Sequence, residues 1–538
     1  MTAATIQSPT TSPSAVRQAL LDGAEIALLD VREEDPYAQS HPLWASNFPL
    51  SKLELQAWSR IPRRDTRIVV YGVHDGEDLA PRAAQVLRAL GYTDVSELEG
   101  GLDAWIAGGG EVFRDVNVPS KSFGELVESK RHTPSLSAPE VQALIDAKAD
   151  VVIVDARRFD EYQTMSIPTA TSVPGAELVL RARELAPNPD TRIIVNCAGR
   201  TRSIIGTQSL INAGVPNPVA ALRNGTIGWT LAGQTLDRGA TRRAPAIVDA
   251  TRRTAARTGA RDIATRAGVR RLAHDALHTL EAPGRTVYRF DVRTPEEFAD
   301  GHLPGFVNAP GGQLVQETDH SAPVRGARIV LADDDGVRAD MTASWLAQMG
   351  WDVTVVEPVD ANARAERGAV KVPAPEATPI ETVSPATLAA WIETGDTAVL
   401  DVTASVNYVR QHIPGAWFAI RAQLGAALKT IPDARRYVLT CGTSQLARFA
   451  AVDLQTLLAE EGSDATVHVL EGGTGAWIAA GLPLEHGETR LAVPRTDRYR
   501  RPYEGTDNAA AAMQAYLDWE FGLIAQLDRD GTHAFRVV

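Results

Sequence analysis

Short apolar runs of four or five residues, rich in Val, Ile and Leu, recur along this chain between stretches of helical spacing. Four of them end in an aspartate: Ala27-Leu28-Leu29-Asp30, Val152-Ile153-Val154-Asp155, Tyr288-Arg289-Phe290-Asp291 and Ala398-Val399-Leu400-Asp401. A second apolar run follows each at nearly constant distance, at 67–71, 192–196, 328–332 and 436–440. Both are too short and too rich in β-branched residues for helices, and they do not alternate, so they read as strands buried on both faces. After the second run at 192–196, residues 203–213 place Ile204, Ile205, Leu210 and Ile211 at helical spacing, with Gly214 as the C-cap. Ser137 and Glu140 make a capping box before the strand at 151–154. Strand–helix–strand alternation predicts an α/β chain in which parallel sheets are flanked by helices.

A third strand, such as 219–222, leads into a Gly-rich turn and a tryptophan in three of the four units: Gly100-Gly101…Trp105, Asn224-Gly225…Trp229 and Gly472-Gly473…Trp477. The glycines suit a positive-φ turn and the tryptophan a core anchor. Linkers are expected near 116–134, 238–261 and 360–378, the second an arginine-rich, solvated helical connector. At the C-terminus, Asp507 is placed to cap a helix with an apolar stripe of Met513, Tyr516, Leu517, Phe521, Ile524 and Leu527, which must bury itself somewhere. A period of this kind in a chain of 538 residues means tandem domains.

The residue just after the second strand differs in each unit: Gly72, Cys197, Asp333 and Cys441. It lies 42 residues beyond the aspartate in the first three units and 40 in the fourth. The protein's only two cysteines therefore share one position in two of four repeats, which points to thiol chemistry. Two cysteines in separate repeats make no disulfide framework and suit a reducing compartment, so the expected location is cytoplasmic. A net charge of −13 argues against nucleic acid or an anionic membrane as partner. The opening residues lack a basic, then apolar, signal pattern, and no apolar run is long enough to span a bilayer.

The loop Cys197-Ala198-Gly199-Arg200-Thr201-Arg202-Ser203 lies between a strand end and a helix start. Such a loop aims backbone N–H groups at one point, and the helix dipole adds positive potential. A cysteine there is expected to have its pKa lowered, while Arg200 and Arg202 offer charge and hydrogen bonds to an oxyanion. Cysteine phosphatases place five residues between Cys and Arg; here four separate Cys197 from Arg202, a ring suited to a single sulfur atom.

The chain thus resembles the rhodanese family of sulfurtransferases, as four tandem rhodanese-like domains plus a C-terminal helix. The resemblance rests on Asp291-Val292-Arg293-Thr294-Pro295-Glu296-Glu297-Phe298, on Gly301-His302-Leu303-Pro304-Gly305, on the six-residue cysteine loop and on the Gly-Gly…Ala-Trp ending. It implies domains at 1–115, 135–240, 262–360 and 379–490, with a helical extension at 500–538. It further implies that Cys197 takes the outer sulfur of thiosulfate or 3-mercaptopyruvate as a persulfide and passes it to a thiol, a protein cysteine or cyanide. Ala198, Gly199, Arg200, Thr201, Arg202 and Ser203 would bind the substrate, with no metal and no organic cofactor. Cys441, in Cys441-Gly442-Thr443-Ser444, resembles the loop of mercaptopyruvate sulfurtransferases and is a second candidate carrier, although no arginine lies inside its ring. Gly72, whose loop to Ala80 reads two residues longer, and Asp333 mark domains expected to be inactive, the acid repelling an oxyanion. The Asp-x-Arg strand endings read as structural, and His302 and His412 are not assigned to catalysis. The rival readings are a non-catalytic sulfur-relay or protein-binding scaffold and a phosphatase or arsenate reductase.

Overall fold

The computed structural model describes residues 9–73, 78–280, 284–358 and 361–538. Four sheets follow one another along the chain, each parallel within its own domain and flanked by helices. In the second, the order is Ser135–Leu136, Val219–Leu222, Arg192–Asn196, Val151–Asp155 and Thr171–Ser172. The two signature strands lie side by side in every domain, with Asp30 opposite Tyr71, Asp155 opposite Asn196, Asp291 opposite Ala332 and Asp401 opposite Thr440. The register therefore delivers Gly72, Cys197, Asp333 and Cys441 to the same end of their sheets.

The buried aspartates need partners, and three of them have an arginine two residues on. Arg157 grips Asp155 through Nε and Nη2 at 2.9 and 2.7 Å and also donates to the carbonyl of Met165. Arg32 and Arg293 do the same for Asp30 and Asp291. Among the described residues the Asp401 carboxylate has one partner, the Thr403 amide at 2.9 Å; burial pushes its pKa up to about 7. His302 and His412 stack on Phe298 and Tyr408 at 3.7 and 3.9 Å and bond to backbone carbonyls, as packing groups do.

The stretch expected as a first linker is instead the helix Val118–Arg131, largely buried between Thr201–Asn212 and the C-terminal helix Ala510–Asp530. Its polar composition hid this, because the buried Lys121 and Glu125 are satisfied by Asp115 in the turn before the helix and by Arg200 of the second domain. The second half of the second linker belongs to the helix Ala250–Arg266, which buries Ala260, Ile263 and Ala264 between the second and third domains. Its arginines pair with acids of the flanking domains, Arg252 with Glu184 and Arg261 with Glu357. Residues 361–378 form no helix or strand.

The domains are not equal partners. One apolar core joins the first and third, running from Leu29, Phe48 and Ile68 through Phe123 to Tyr288, Leu331 and Trp345. The strand Val324–Arg325 even adds antiparallel to Ile26–Asp30 of the first sheet. Arg338 of the third domain reaches Glu177 of the second at 2.9 Å. The fourth domain keeps its own core and meets the first through Arg421 and Glu54 at 2.6 Å.

Candidate functional site

Cys197 leaves the strand Arg192–Asn196, and four residues later the helix Thr201–Asn212 begins. The carbonyls of Cys197 and Ala198 turn outward and accept the N–H groups of Thr226 and Ile227 at 2.9 and 3.0 Å. That pairing turns the loop's outer edge towards the Gly-rich turn. Gly225 makes it possible: its φ is +55°, and any side chain there would overlap the Cys197 carbonyl oxygen. Trp229 anchors the turn, fully buried, with its Nε1 donating to the carbonyl of Thr235 at 2.8 Å. The Cys197 thiol donates to Ser203 Oγ at 3.4 Å, and Ser203 in turn donates to the carbonyl of Arg200 at 2.8 Å.

Both ring arginines are already engaged. Arg200 forks onto Glu125 at 2.7 and 2.9 Å, also meets Glu128, and donates to Asn224 at 3.2 Å. Arg202 forks onto Glu161 at 2.7 and 2.9 Å and holds that carboxylate down to about 2. Two unit charges about 4 Å apart interact by about 4 kcal/mol at an effective dielectric of 20, so each arginine is held firmly by its carboxylate. Burial accordingly outweighs Arg202 and pushes the Cys197 thiol up, opposite to the lowering expected from the loop alone.

The thiol is buried, and the C-terminal helix lies over the loop beside it at Gly199 and Arg200. A Cβ built on Gly199 would sit 3.1 Å from Cε1 of Tyr516 and 3.2 Å from Oε2 of Glu520. Phe521 lies over the Arg200 guanidinium at 4.2 Å. Asp507, expected as the cap, pairs with Arg500, and the helix starts at Ala510 after Ala509. The buried stripe is Met513, Tyr516, Leu517, Glu520, Leu523 and Leu527, with Glu520 in the place expected for Phe521, which is 54% exposed. Glu520, Glu161 and Glu125 all bear on the site and were not singled out from sequence; only the stripe hinted that something must cover the C-terminal helix. A cleft of about 400 Å³ opens beside the loop at Arg202, lined also by Arg157, Glu161, Arg501 and Tyr503. Cys197 does not line it.

The other three loops differ in a graded way. In the third domain, Asp333 folds back into its own loop and accepts the N–H groups of Gly336, Val337 and Ala339 at 3.0, 3.1 and 2.9 Å. Burial and Asp335 push its proton affinity up, while the amides and Arg338 pull against them. The acid expected to repel an anion thus fills the seat itself. Around Cys441 the backbone repeats the outward turn, Thr474 and Gly475 donating to the carbonyls of Cys441 and Gly442 at 2.8 and 3.1 Å. Ser444 takes φ +70° and donates to the carbonyl of Leu470. Gly442, Thr443 and Gln445 are exposed, and a Cβ on Gly442 would meet nothing within 4 Å. In the first domain, Gly72 and Val73 accept from Leu102 and Asp103; the loop whose length was in question passes through 74–77, outside the described residues.

With this geometry in view, a family model described as rhodanese-like domain matches four times, at residues 12–108, 137–232, 273–357 and 384–480. The chain belongs to the rhodanese family. A crystal structure of a thiosulfate sulfurtransferase from Pseudomonas aeruginosa is 63% identical, with a TM-score of 0.96 over 98% of this chain and 100% of that one. Thiosulfate sulfurtransferase of Azotobacter vinelandii is 25% identical over 224 residues, 35% of this chain and 81% of that protein. An HTH-type transcriptional regulator of Mycobacterium tuberculosis is 35% identical over 91 residues, spanning 17% of this chain and only 39% of its own length. The four matches stop at residue 480, so the helix over Cys197 lies outside the rhodanese units. Among the described residues no helix is long and apolar enough to cross a membrane, and no cluster of three or more His, Cys, Asp or Glu side chains could hold a metal.

Proposed function

We propose that this rhodanese is a sulfurtransferase that moves the outer sulfur of thiosulfate, or of a related donor such as 3-mercaptopyruvate, through a persulfide on Cys197. The Cys197 thiolate attacks the outer sulfur of thiosulfate. The S–S bond of the donor breaks, sulfite leaves with the bonding pair, and a Cys197 persulfide remains. An acceptor thiolate or cyanide then attacks the outer persulfide sulfur, and the Cys197 thiolate departs. The acceptor is a small thiol or a protein cysteine. No metal and no organic cofactor enters either step.

The observation that carries this reading is the loop of the third domain, where three amides gather on the two oxygens of Asp333. The same strand–loop–helix turn in the second domain carries a cysteine instead of a plug. Its amides are then free to hold a persulfide sulfur or the charge that develops on it. The names of the relatives point to thiosulfate as donor. Cys441 is a second carrier with an open loop and no cation in its ring. The test is intact mass after incubation with thiosulfate or mercaptopyruvate, with peptide mapping of the added sulfur. A gain of one sulfur at Cys197 supports the reading; full thiosulfate-to-cyanide turnover by Cys197→Ser overturns it.

A further inference from the structure

The C-terminal helix brings a carboxyl group to the catalytic loop from outside any of the four repeats. Glu520 is 1% exposed. Its Oε1 accepts the Tyr516 hydroxyl at 2.9 Å, and its Oε2, the oxygen 3.2 Å from the Cβ position of Gly199, has no partner among the described residues. An unpartnered carboxylate oxygen in a dry site is costly, and nothing in the packing requires one. Leucine or methionine would complete the apolar stripe on either side.

We propose that Glu520 governs which ligands reach Cys197: uncharged, it admits an anionic sulfur donor to the loop, and ionised, it excludes one. The surroundings set the balance. Burial is the largest influence and holds the carboxyl protonated up to about pH 8. Lys121 and Arg200 favour its ionisation, Glu125 opposes it, and the Tyr516 hydroxyl stabilises the charged form. Lys121 is spoken for by Asp115 at 2.8 Å and lies within 5.5 Å of the rings of Tyr503, Tyr516 and Trp519. Arg200 is held by Glu125 and Glu128. Neither cation is left over to neutralise Glu520. An ionised Glu520 therefore meets a thiosulfate dianion as a like charge in a site of low dielectric, and it also disfavours the Cys197 thiolate. The family resemblance places no such group here, because the helix lies beyond the matched domains.

The consequence for donor choice rests on the sulfurtransferase reading, so the decisive experiment does not use sulfur transfer. Cys197 in the full-length protein is alkylated between pH 6 and 9.5 with neutral iodoacetamide and with anionic iodoacetate, and each cysteine is followed by peptide mass. Titration of Cys197 itself changes both rates equally and cancels in their ratio. The iodoacetate-to-iodoacetamide ratio at Cys197 should fall by about three- to tenfold as pH rises through Glu520's ionisation, and stay flat at Cys441. Glu520→Gln keeps the Tyr516 contact and should abolish the fall. Tyr516→Phe removes the bond that favours the charged form and should move it to higher pH. A flat ratio in the natural protein, or the same fall in Glu520→Gln, overturns the proposal. Thiosulfate turnover that survives Cys197→Ser would overturn the sulfurtransferase reading and leave the ratio to judge Glu520 by itself.

Discussion

The Cys197 and Cys441 loops share one backbone plan and differ in what lies on top of them. Both turn their first carbonyls towards a Gly-rich helix start, and both cysteines are buried. Over Gly199 lie Tyr516 and Glu520; at Gly442 no described residue comes within 4 Å of the Cβ position. Two arginines flank the first sulfur, each tied to a carboxylate, whereas the second ring contains none. The loop therefore supplies the shape of an anion cradle, and the elements packed against it decide charge and access. The Asp333 loop makes the same point, since the shape persists there with its own carboxyl group inserted.

The comparison can be broken most directly by replacing the two cysteines in turn. Cys197→Ser should lower thiosulfate-to-cyanide turnover by roughly a hundredfold or more, while Cys441→Ser keeps most of it, because a hydroxyl is a poor nucleophile towards sulfur. If steady-state rates show the loss following Cys441 instead, the covered loop is not the working one.

Glycine substitutions come next in size. Gly225→Ala forces a side chain at φ +55° against the Cys197 carbonyl, and should cost about 1–3 kcal/mol in denaturant unfolding together with thiosulfate activity. Gly442→Ala meets open space, and a change beyond about 0.5 kcal/mol would contradict the open loop. Gly199→Ala should fall between, because Tyr516 and Glu520 must yield a few tenths of an ångström.

Access predicts a reactivity order. Iodoacetamide at neutral pH should modify Cys441 about tenfold faster than Cys197, since burial disfavours the Cys197 thiolate and the loop residues beside Cys441, Gly442 and Thr443, are exposed. Equal rates, read by peptide mass, would mean that the C-terminal helix opens freely.

The smallest expected effect concerns the fourth domain's lost arginine. Asp401 is buried with its pKa up to about 7, above the usual aspartate value. A group whose folded-state pKa is raised stabilises the fold most below its unfolded pKa, and that contribution disappears as pH rises through about 7. Thermal unfolding of Asp401→Asn should therefore show a smaller loss of stability between pH 5 and 8 than the natural chain. An unchanged slope would show that the Thr403 amide satisfies the carboxylate unaided.

Much of this architecture is legible in the residue order. Strand runs ending in aspartate, the capping box at Ser137 and Glu140, and the C-terminal turn at Gly214 all obey local rules, and all stand where the pattern puts them. So does the position of both cysteines, because a strand that ends at Asn196 or Thr440 hands the next residue to a loop before a helix. The helix Val118–Arg131 was not legible. Its polar face reads as a linker until Lys121 meets Asp115 and Glu125 meets Arg200.

The same reason separates the two kinds of knowledge at the Cys197 loop. Hydrophobic period, turn chemistry and backbone hydrogen bonding act within a few residues, so the sequence by itself determined four α/β units and the loops that carry Cys197 and Cys441. Charge and burial depend on whatever folds against a group from any distance along the chain. Only the tertiary structure decided that Arg200 and Arg202 are paired with carboxylates, that Glu520 rather than Phe521 is buried against the loop, and that Gly199 is covered where Gly442 is open. Electrostatic free energy in a low-dielectric interior is set by neighbours in space, and a linear pattern does not list them.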